Sequence, residues 1–419
     1  MNERKKIAII SNSCPPLGGA GIGSAHYNLF KTLNRNGYIA NLYTYADNLS
    51  EIRKITKIPQ IQRFGISKIL QNIISIYLII NYKFNRWILR KKKVTGYAYQ
   101  FPIVLNSILS AWKINKSLNK FKPEIVILPD MGVPGYVIKK IKNCIYVHVS
   151  HHNPIRFINN PLIGVHDIED TLRAIHYEKA SLKKINAVLC PSVYMKNVFL
   201  STFQYDGKIE VIPNVIDDQI ILSTPKINLR KLLNIEEDIP IIFIPSAGSE
   251  IKGSQYVIEI LRRLHKQMQG EVAFYLNSAL TDKQLFELKQ SNTTIKYFAP
   301  GQVDYIKNIS YMKSCTLCVS PTLVENFGMA LLEAMYCKLP CITFDVGGNN
   351  EVIKSGETGY VVPYLDIEEL IDKTILLLRD KKLFAQHKSD TEKLIKSTFS
   401  SKTITDQYVS FFSSLLNTK

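Results

Sequence analysis

The chain has 419 residues, enough for two or three domains. Its hydrophobic content of 46% and charged content of 21% are those of an ordinary globular protein, with a core large enough to need no disulfide staples. Seven cysteines, an odd number set mostly in apolar runs (Cys144, Cys190 and Cys318 among them), favour a reducing compartment.

The first residues, Met1 to Lys6, lead into Ile7 to Ile10, an apolar run too short for a signal peptide. No segment reaches the roughly 20 apolar residues of a spanning helix. Ile7 to Ser11 reads as the first strand. Pro15 to Gly23 is a loop with four glycines, and Ala25 to Asn36 is an amphipathic helix with Leu29, Phe30 and Leu33 near 3.6-residue spacing. Gly37 stops that helix, and Ile39 to Tyr43 is the next strand. The glycine loop lies where a dinucleotide loop lies, but Ser24 stands where the last glycine of G-x-G-x-x-G is expected, and only Asp47 is near the end of strand two.

The net charge of +18 is uneven. From Ile52 to Lys122 there are 15 Lys or Arg and no acidic residue. Within this stretch Ile69 to Ile80 is strongly apolar, followed by Tyr82, Phe84, Trp87 and then Arg90 to Lys93. Basic residues beside aromatic and aliphatic ones suit an anionic membrane surface. A buried helix with a solvated basic end is the plainer alternative. No zinc-finger spacing or RNP-type motif supports nucleic acid as the partner. The stretch from Ser50 to Asn119 reads as mostly helical.

Further strands are expected at Pro123 to Leu128, Ile145 to Val149, Ala187 to Leu189 and Ile209 to Ile212. His148, His151 and His152 cluster at the end of one of them. They suggest a metal, yet His148 and Ser150 alternate on the strand and no carboxylate is expected to adjoin them. Arg156 follows and suits either a phosphate or a surface role. A second alternation runs through Ile239 to Ile244, Val272 to Leu276, Ile295 to Phe298, Leu317 to Ser320, Cys341 to Phe344 and Tyr360 to Val362. Helices such as Ser254 to Leu264 and Tyr305 to Lys313 lie between. Alternating strands and helices argue for parallel sheets with crossovers, hence an α/β chain of two tandem doubly wound domains. The spacing Cys315-x2-Cys318 with Cys337-x3-Cys341 resembles a zinc site, but each cysteine falls at an ordinary core position.

The densest chemical signal runs from Ser320 to Ala334, where Glu325 and Glu333 stand eight apart. Glu325 follows a strand, and Glu333 lies inside the helix-like run Gly328 to Cys337. Exposed amides at a helix start suit a phosphate, and ionised carboxylates suit sugar hydroxyls. This stretch resembles the E-x7-E signature of retaining glycosyltransferases of family 4, which have the GT-B fold. Lys252-Gly253, Gly347-Gly348-Asn349-Asn350-Glu351, Gly356 to Pro363, Val211 to Asp217 and Pro15 to Gly19 stand in family-like order, so the resemblance covers nearly the whole chain.

The resemblance implies two Rossmann-like domains facing a cleft, partitioned at 1–213 and 214–396, with a C-terminal helix at 397–419 crossing back. It implies that Pro213-Asn214 is the hinge. Glu333 would hold the ribose, and Glu325 would orient the donor sugar. Lys252 and the amides of Phe327, Gly328 and Met329 would hold the diphosphate. Gly18, Gly19, Ser246 and Gly248 would complete the donor site, with His151, or else His152, beside the sugar. The family usually carries an Arg where this chain has Ala247, so Lys252 is the one certain cation there; the amides of Ala247 to Ser249 offer an anion nest in its place, and otherwise donor affinity is lower or another basic residue substitutes. No D-x-D triad is present beyond Asp366-Ile367-Glu368, so no metal or other cofactor is expected. The implied partners are a nucleotide sugar, with UDP favoured, and a glycan or lipid-linked acceptor in bacterial surface polysaccharide synthesis. The implied location is the cytoplasm at the inner membrane face. A nucleotide-sugar epimerase and a non-catalytic lipid- or nucleic-acid-binding protein on the same fold are the alternatives.

Overall fold

The computed structural model describes residues 5–18, 21–65, 67, 69–70, 72–73, 76, 100–158, 160–163, 168–290 and 294–417. The chain divides into two compact units, one of Met1–Ile216 with Ile404–Lys419, the other of Asp217–Thr403.

The first unit is built on a seven-stranded sheet. Its strands are β1 (Lys6–Ser11), β2 (Ile39–Thr44), β3 (Ile61–Arg63), β4 (Ile125–Pro129), β5 (Ile145–Val149), β6 (Ala187–Cys190) and β7 (Lys208–Val211). The order is β3-β2-β1-β4-β5-β6-β7 and every pairing is parallel. Strands covered on both faces read as continuous apolar runs, which is why Ile7, Ala8, Ile9 and Ile10 are all fully buried. The helix Ile22–Arg35 lays Leu29, Phe30 and Leu33 on one face of this sheet. The C-terminal helix Ser401–Asn417 brings Ile404, Tyr408, Phe411, Phe412 and Leu415 into the same core.

The second unit holds β8 (Ile241–Ile244), β9 (Ala273–Leu276), β10 (Lys296–Phe298), β11 (Leu317–Ser320), β12 (Cys341–Phe344) and β13 (Gly359–Val362). Their order is β10-β9-β8-β11-β12-β13, again parallel throughout. In such sheets the strand order reverses at one point, and ligands bind at the carboxyl ends of the strands flanking it. Those flanking pairs are β1 with β4 in the first unit and β8 with β11 in the second.

Two expectations are corrected. In the stretch read as mostly helical, Leu49–Ile52, Gln100–Ala111 and Ile114–Phe121 are helices among the described residues, and the short edge strand β3 adds a pairing to β2 from Leu42↔Ile61 to Thr44↔Arg63. The division between units falls after Ile216 rather than at Pro213-Asn214. Asn214 is buried and bonded to His151, while Ile212 and Val215 lie in the first unit's core. Carboxylates do adjoin the histidine cluster: Glu178 meets His148 at 3.1 Å, and Asp130 accepts from the amides of His152 and Asn153.

Most of the apolar-basic segment lies outside the described residues, including Tyr82, Phe84, Trp87 and Arg90 to Lys93. Of its described members, Ile69, Leu70, Ile73 and Ile76 are exposed. No helix among the described residues is long and apolar enough to cross a membrane.

Candidate active site

In the second unit the loop after β8 carries Lys252 and the loop after β11 carries Glu325, so the switch point brings them together. Lys252 Nζ donates to Glu325 Oε2 at 2.6 Å and to the Val324 carbonyl at 3.4 Å. The two loops are also tied through the backbone, because the amides of Leu323 and Val324 both donate to the Ile251 carbonyl. Two glycines let these chains approach. A Cβ on Gly253 would stand 2.0 Å from the Pro321 carbonyl oxygen, and one on Gly347 would stand 1.9 Å from that of Glu325.

Glu325 is 15% exposed and Lys252 25%. Burial alone pushes the Glu325 carboxyl up. The Lys252 ammonium, with the amides of Asn326 and Gly328, outweighs that and holds it below its usual value. The result is an ionised carboxylate and a lysine paired in a half-dry cleft between loops. The Gly328 amide is therefore committed to Glu325, while Gly328 itself caps the helix Met329–Tyr336 in a left-handed conformation with φ 77°. Phe327 is 2% exposed and its ring meets Phe399 edge-on, so its side chain is a packing group. Met329 starts the helix and is half-buried.

Glu333 sits in that helix with no ion pair among the described residues. Burial raises its carboxyl to about 7, and the neighbouring Tyr305 hydroxyl draws it back only in part. Tyr305 is a feature that sequence reading passed over. It opens the helix Tyr305–Met312 behind an Asp304 cap and lies beside Glu333 only because two separate helices converge. Asn349, from the Gly347 to Glu351 motif, is fully buried, donates to Thr343 Oγ1 and the Phe344 carbonyl, and its Oδ1 has no hydrogen-bond partner among the described residues. A Cβ on Gly328 would lie 3.1 Å from that oxygen.

The folded state holds the Glu333 proton up to about pH 7, the unfolded chain only to about 4.5. Stability therefore falls as pH rises from about 4.5 through 7 and stays lower above that. Some solvent contact remains, so the roughly 3 kcal/mol implied by the shift is scaled down to about 1–2 kcal/mol. Glu333→Gln is expected to be more stable than wild type at pH 8 by that amount and equal to it near pH 4.5, as thermal melts across pH would show.

The expected anion nest is not available. The Ala247 amide donates to the Asn277 carbonyl, Gly248 to Ser278 Oγ and Ser249 to the Ser246 carbonyl. Ala247 is fully buried in the sheet core. Gly248 has a packing reason as well, since a Cβ there would meet the Ala279 carbonyl oxygen at 1.8 Å. Ser246 is half-buried at φ 50° in the same turn.

In the first unit, loops from β1, β4 and β5 gather at the other switch point. His151 follows β5 and is 3% exposed, with Nε2 against Asn214 Oδ1 at 2.7 Å. Burial lowers its pKa, so the ring is neutral near pH 7. His26 packs edge-on against it at 5.3 Å and turns Nδ1 toward Ser11 Oγ. No sequence pattern marks His26, which is brought there by the helix after β1. His148 is a buried strand residue paired with Glu178, and His152 is the more exposed of the cluster. Arg156 folds back on the His152 carbonyl and over the Phe157 ring. Gly18 is exposed on the loop after β1, and Gly19 lies outside the described residues. Asp47 is buried and paired with Arg63 at 2.9 Å. Among the described residues no group of three or more His, Cys, Asp or Glu is placed to hold a metal.

Two tandem, all-parallel, doubly wound units, with a lysine–glutamate pair at a switch point and a second glutamate in the helix that follows it, define a protein of the GT-B class. Comparison with known proteins agrees. The family model "Glycosyltransferase Family 4" matches residues 21–220, and "Glycosyl transferases group 1" matches residues 225–394. The chain belongs to this glycosyltransferase family.

N-acetyl-alpha-D-glucosaminyl L-malate synthase of Bacillus anthracis is 26% identical over 208 residues, 50% of this chain and 54% of that protein. The chain thus spans about half the length of that relative. The UDP-Gal:alpha-D-GlcNAc-diphosphoundecaprenol alpha-1,3-galactosyltransferase of Escherichia coli is 22% identical, across 62% of this chain and 72% of that one. A solved sucrose-phosphate synthase from Thermosynechococcus elongatus superposes with a TM-score of 0.74 at 18% identity, covering 99% of this chain and 100% of that one. At that identity the likeness is one of fold.

Proposed function

We propose that the protein is a retaining glycosyltransferase that moves a sugar from a nucleoside-diphosphate sugar, with UDP favoured, to a glycan or lipid-linked acceptor of a bacterial surface polysaccharide. The observation that carries this reading is the 2.6 Å pair of Lys252 and Glu325, set at the switch point just before the helix that bears Glu333. The name of the Escherichia coli relative, which joins a UDP-sugar to a diphosphate-linked lipid acceptor, supports the same substrate classes.

In this mechanism the barrier is charge building on the departing diphosphate. Preorganised donors in a dry site meet that demand best. Lys252 supplies the cation, steered by Glu325, whose own position is fixed by the Asn326 amide at 3.0 Å. Glu333 accepts from the ribose hydroxyls when ionised, so donor affinity weakens as pH drops below about 7. His151, kept neutral by burial, suits a sugar hydroxyl better than a phosphate. The acceptor attacks from the leaving-group face, a phosphate oxygen takes its proton, and no metal takes part. The exposed Ile69, Leu70, Ile73 and Ile76 in a basic stretch support a cytoplasmic enzyme held at an anionic membrane face. Proton NMR of the transferred sugar tests the stereochemistry: an α-linked product from an α-configured donor is expected, and a β-linked product would overturn retention.

A further inference from the structure

At the end of the second sheet opposite Lys252 and Glu325, an open groove of about 520 Å³ lies under the loops that lead into β11 and β12. Five cationic side chains line it: Lys226, Arg230, Lys313, Lys338 and Lys388. No carboxylate is among the described residues that line it.

The positive charge there is poorly neutralised. Lys338 is paired with Glu392 at 3.1 Å. Arg230 reaches Glu237 only at 3.9 Å, and that carboxylate is 85% exposed. Its guanidinium is spent on the carbonyls of Glu237, Ser314 and Ile239. Lys313 is held by the carbonyls of Leu222 and Thr224, which orient its ammonium without cancelling the charge. Lys226 and Lys388 are exposed and carry no ion pair or hydrogen bond among the described residues.

Like charges gathered on one concave surface repel, and the arrangement persists most cheaply when an anion occupies it. Two cations fixed by backbone carbonyls form a rigid floor, and two free lysines form an adaptable rim. Lysines act as point charges for phosphate rather than as planar forks for a carboxylate. Phe384 and the exposed Leu222 add an apolar wall.

We infer that this groove is a second anion site that takes a phosphate-bearing ligand, separate from the donor site. The same chemistry is offered by a free phosphate compound or by a phospholipid headgroup. The inference does not depend on the transferase reading, because the groove shares no residue with the Lys252 and Glu325 site.

The test uses the full chain carrying Lys252→Ala and Glu333→Ala, which silences the donor site. Inorganic pyrophosphate is titrated by calorimetry at low salt, and vesicles of phosphatidylglycerol are sedimented with the protein. Adding Lys226→Glu and Lys388→Glu, both on exposed side chains, is expected to weaken the anion that binds by at least about tenfold. Loss of pyrophosphate binding assigns the groove to a free phosphate compound. Loss confined to vesicle binding assigns it to a lipid headgroup. If the charge reversal changes neither, or if neither probe binds the parent, the inference is overturned. Circular dichroism and the melting temperature report whether the reversed variant keeps its fold.

Discussion

Lys252→Ala is expected to lower kcat/KM by about 10²–10³-fold, the range seen when one preorganised donor to a developing oxyanion is removed. The expected loss has two parts. The cation proposed to meet the diphosphate is gone, and Glu325 loses the partner that keeps it ionised against burial. With Lys252 absent, the Glu325 carboxyl keeps only the Asn326 and Gly328 amides against burial and is expected to rise from its wild-type position, so activity is expected to shift toward higher pH as well as fall. Steady-state kinetics across pH check both parts. Lys252→Arg recovers charge but not the compact geometry at 2.6 Å, and is expected to recover activity only in part. Unchanged kcat/KM in Lys252→Ala would remove the lysine from the mechanism.

Arg63→Met is expected to cost about 3–5 kcal/mol, because it leaves a buried carboxylate without its counter-charge. Arg63 is 7% exposed at the side chain and Asp47 is fully buried. The same guanidinium donates to the carbonyls of Cys14 at 3.0 Å and Pro15 at 2.6 Å, which anchors the start of the glycine loop. The melting transition of the first unit is therefore expected to drop by roughly 10 °C, while that of the second stays in place. Adding Asp47→Leu removes the orphaned charge and is expected to restore part of the loss, as a double-mutant cycle would measure. A melt of Arg63→Met indistinguishable from wild type would show that the pair is not a structural anchor.

The sequence was most legible where one local signal sufficed. Apolar runs such as Leu317–Ser320 and Cys341–Phe344 coincide with β11 and β12 because buried parallel strands carry no polar alternation. Glu325 and Glu333 were found through spacing, since one loop and one helix turn carry them both. What escaped was held by distant partners. β3 is three residues long and has no periodicity to read, and Arg63 on it is one of 15 Lys or Arg in a stretch where nothing local singles it out. Glu178 lies 30 residues from His148, so the strand alone gave no sign of its carboxylate. The amides of Ala247 and Gly248 looked open because Asn277 and Ser278, which accept from them, arrive on the neighbouring strand's loop. Tyr305 reaches Glu333 in the same way, from another helix.

Equilibrium titration is the decisive probe of the proposed nucleoside-diphosphate site on the second unit. UDP, GDP, ADP and TDP are titrated into wild type and Glu333→Ala at pH 8, where the Glu333 carboxyl is ionised. The account predicts saturable binding of one nucleotide, UDP first, to wild type and at least about tenfold weaker binding to the variant, a loss of about 1.4 kcal/mol. Equal binding to both proteins, or no binding of any nucleotide to wild type, would contradict it.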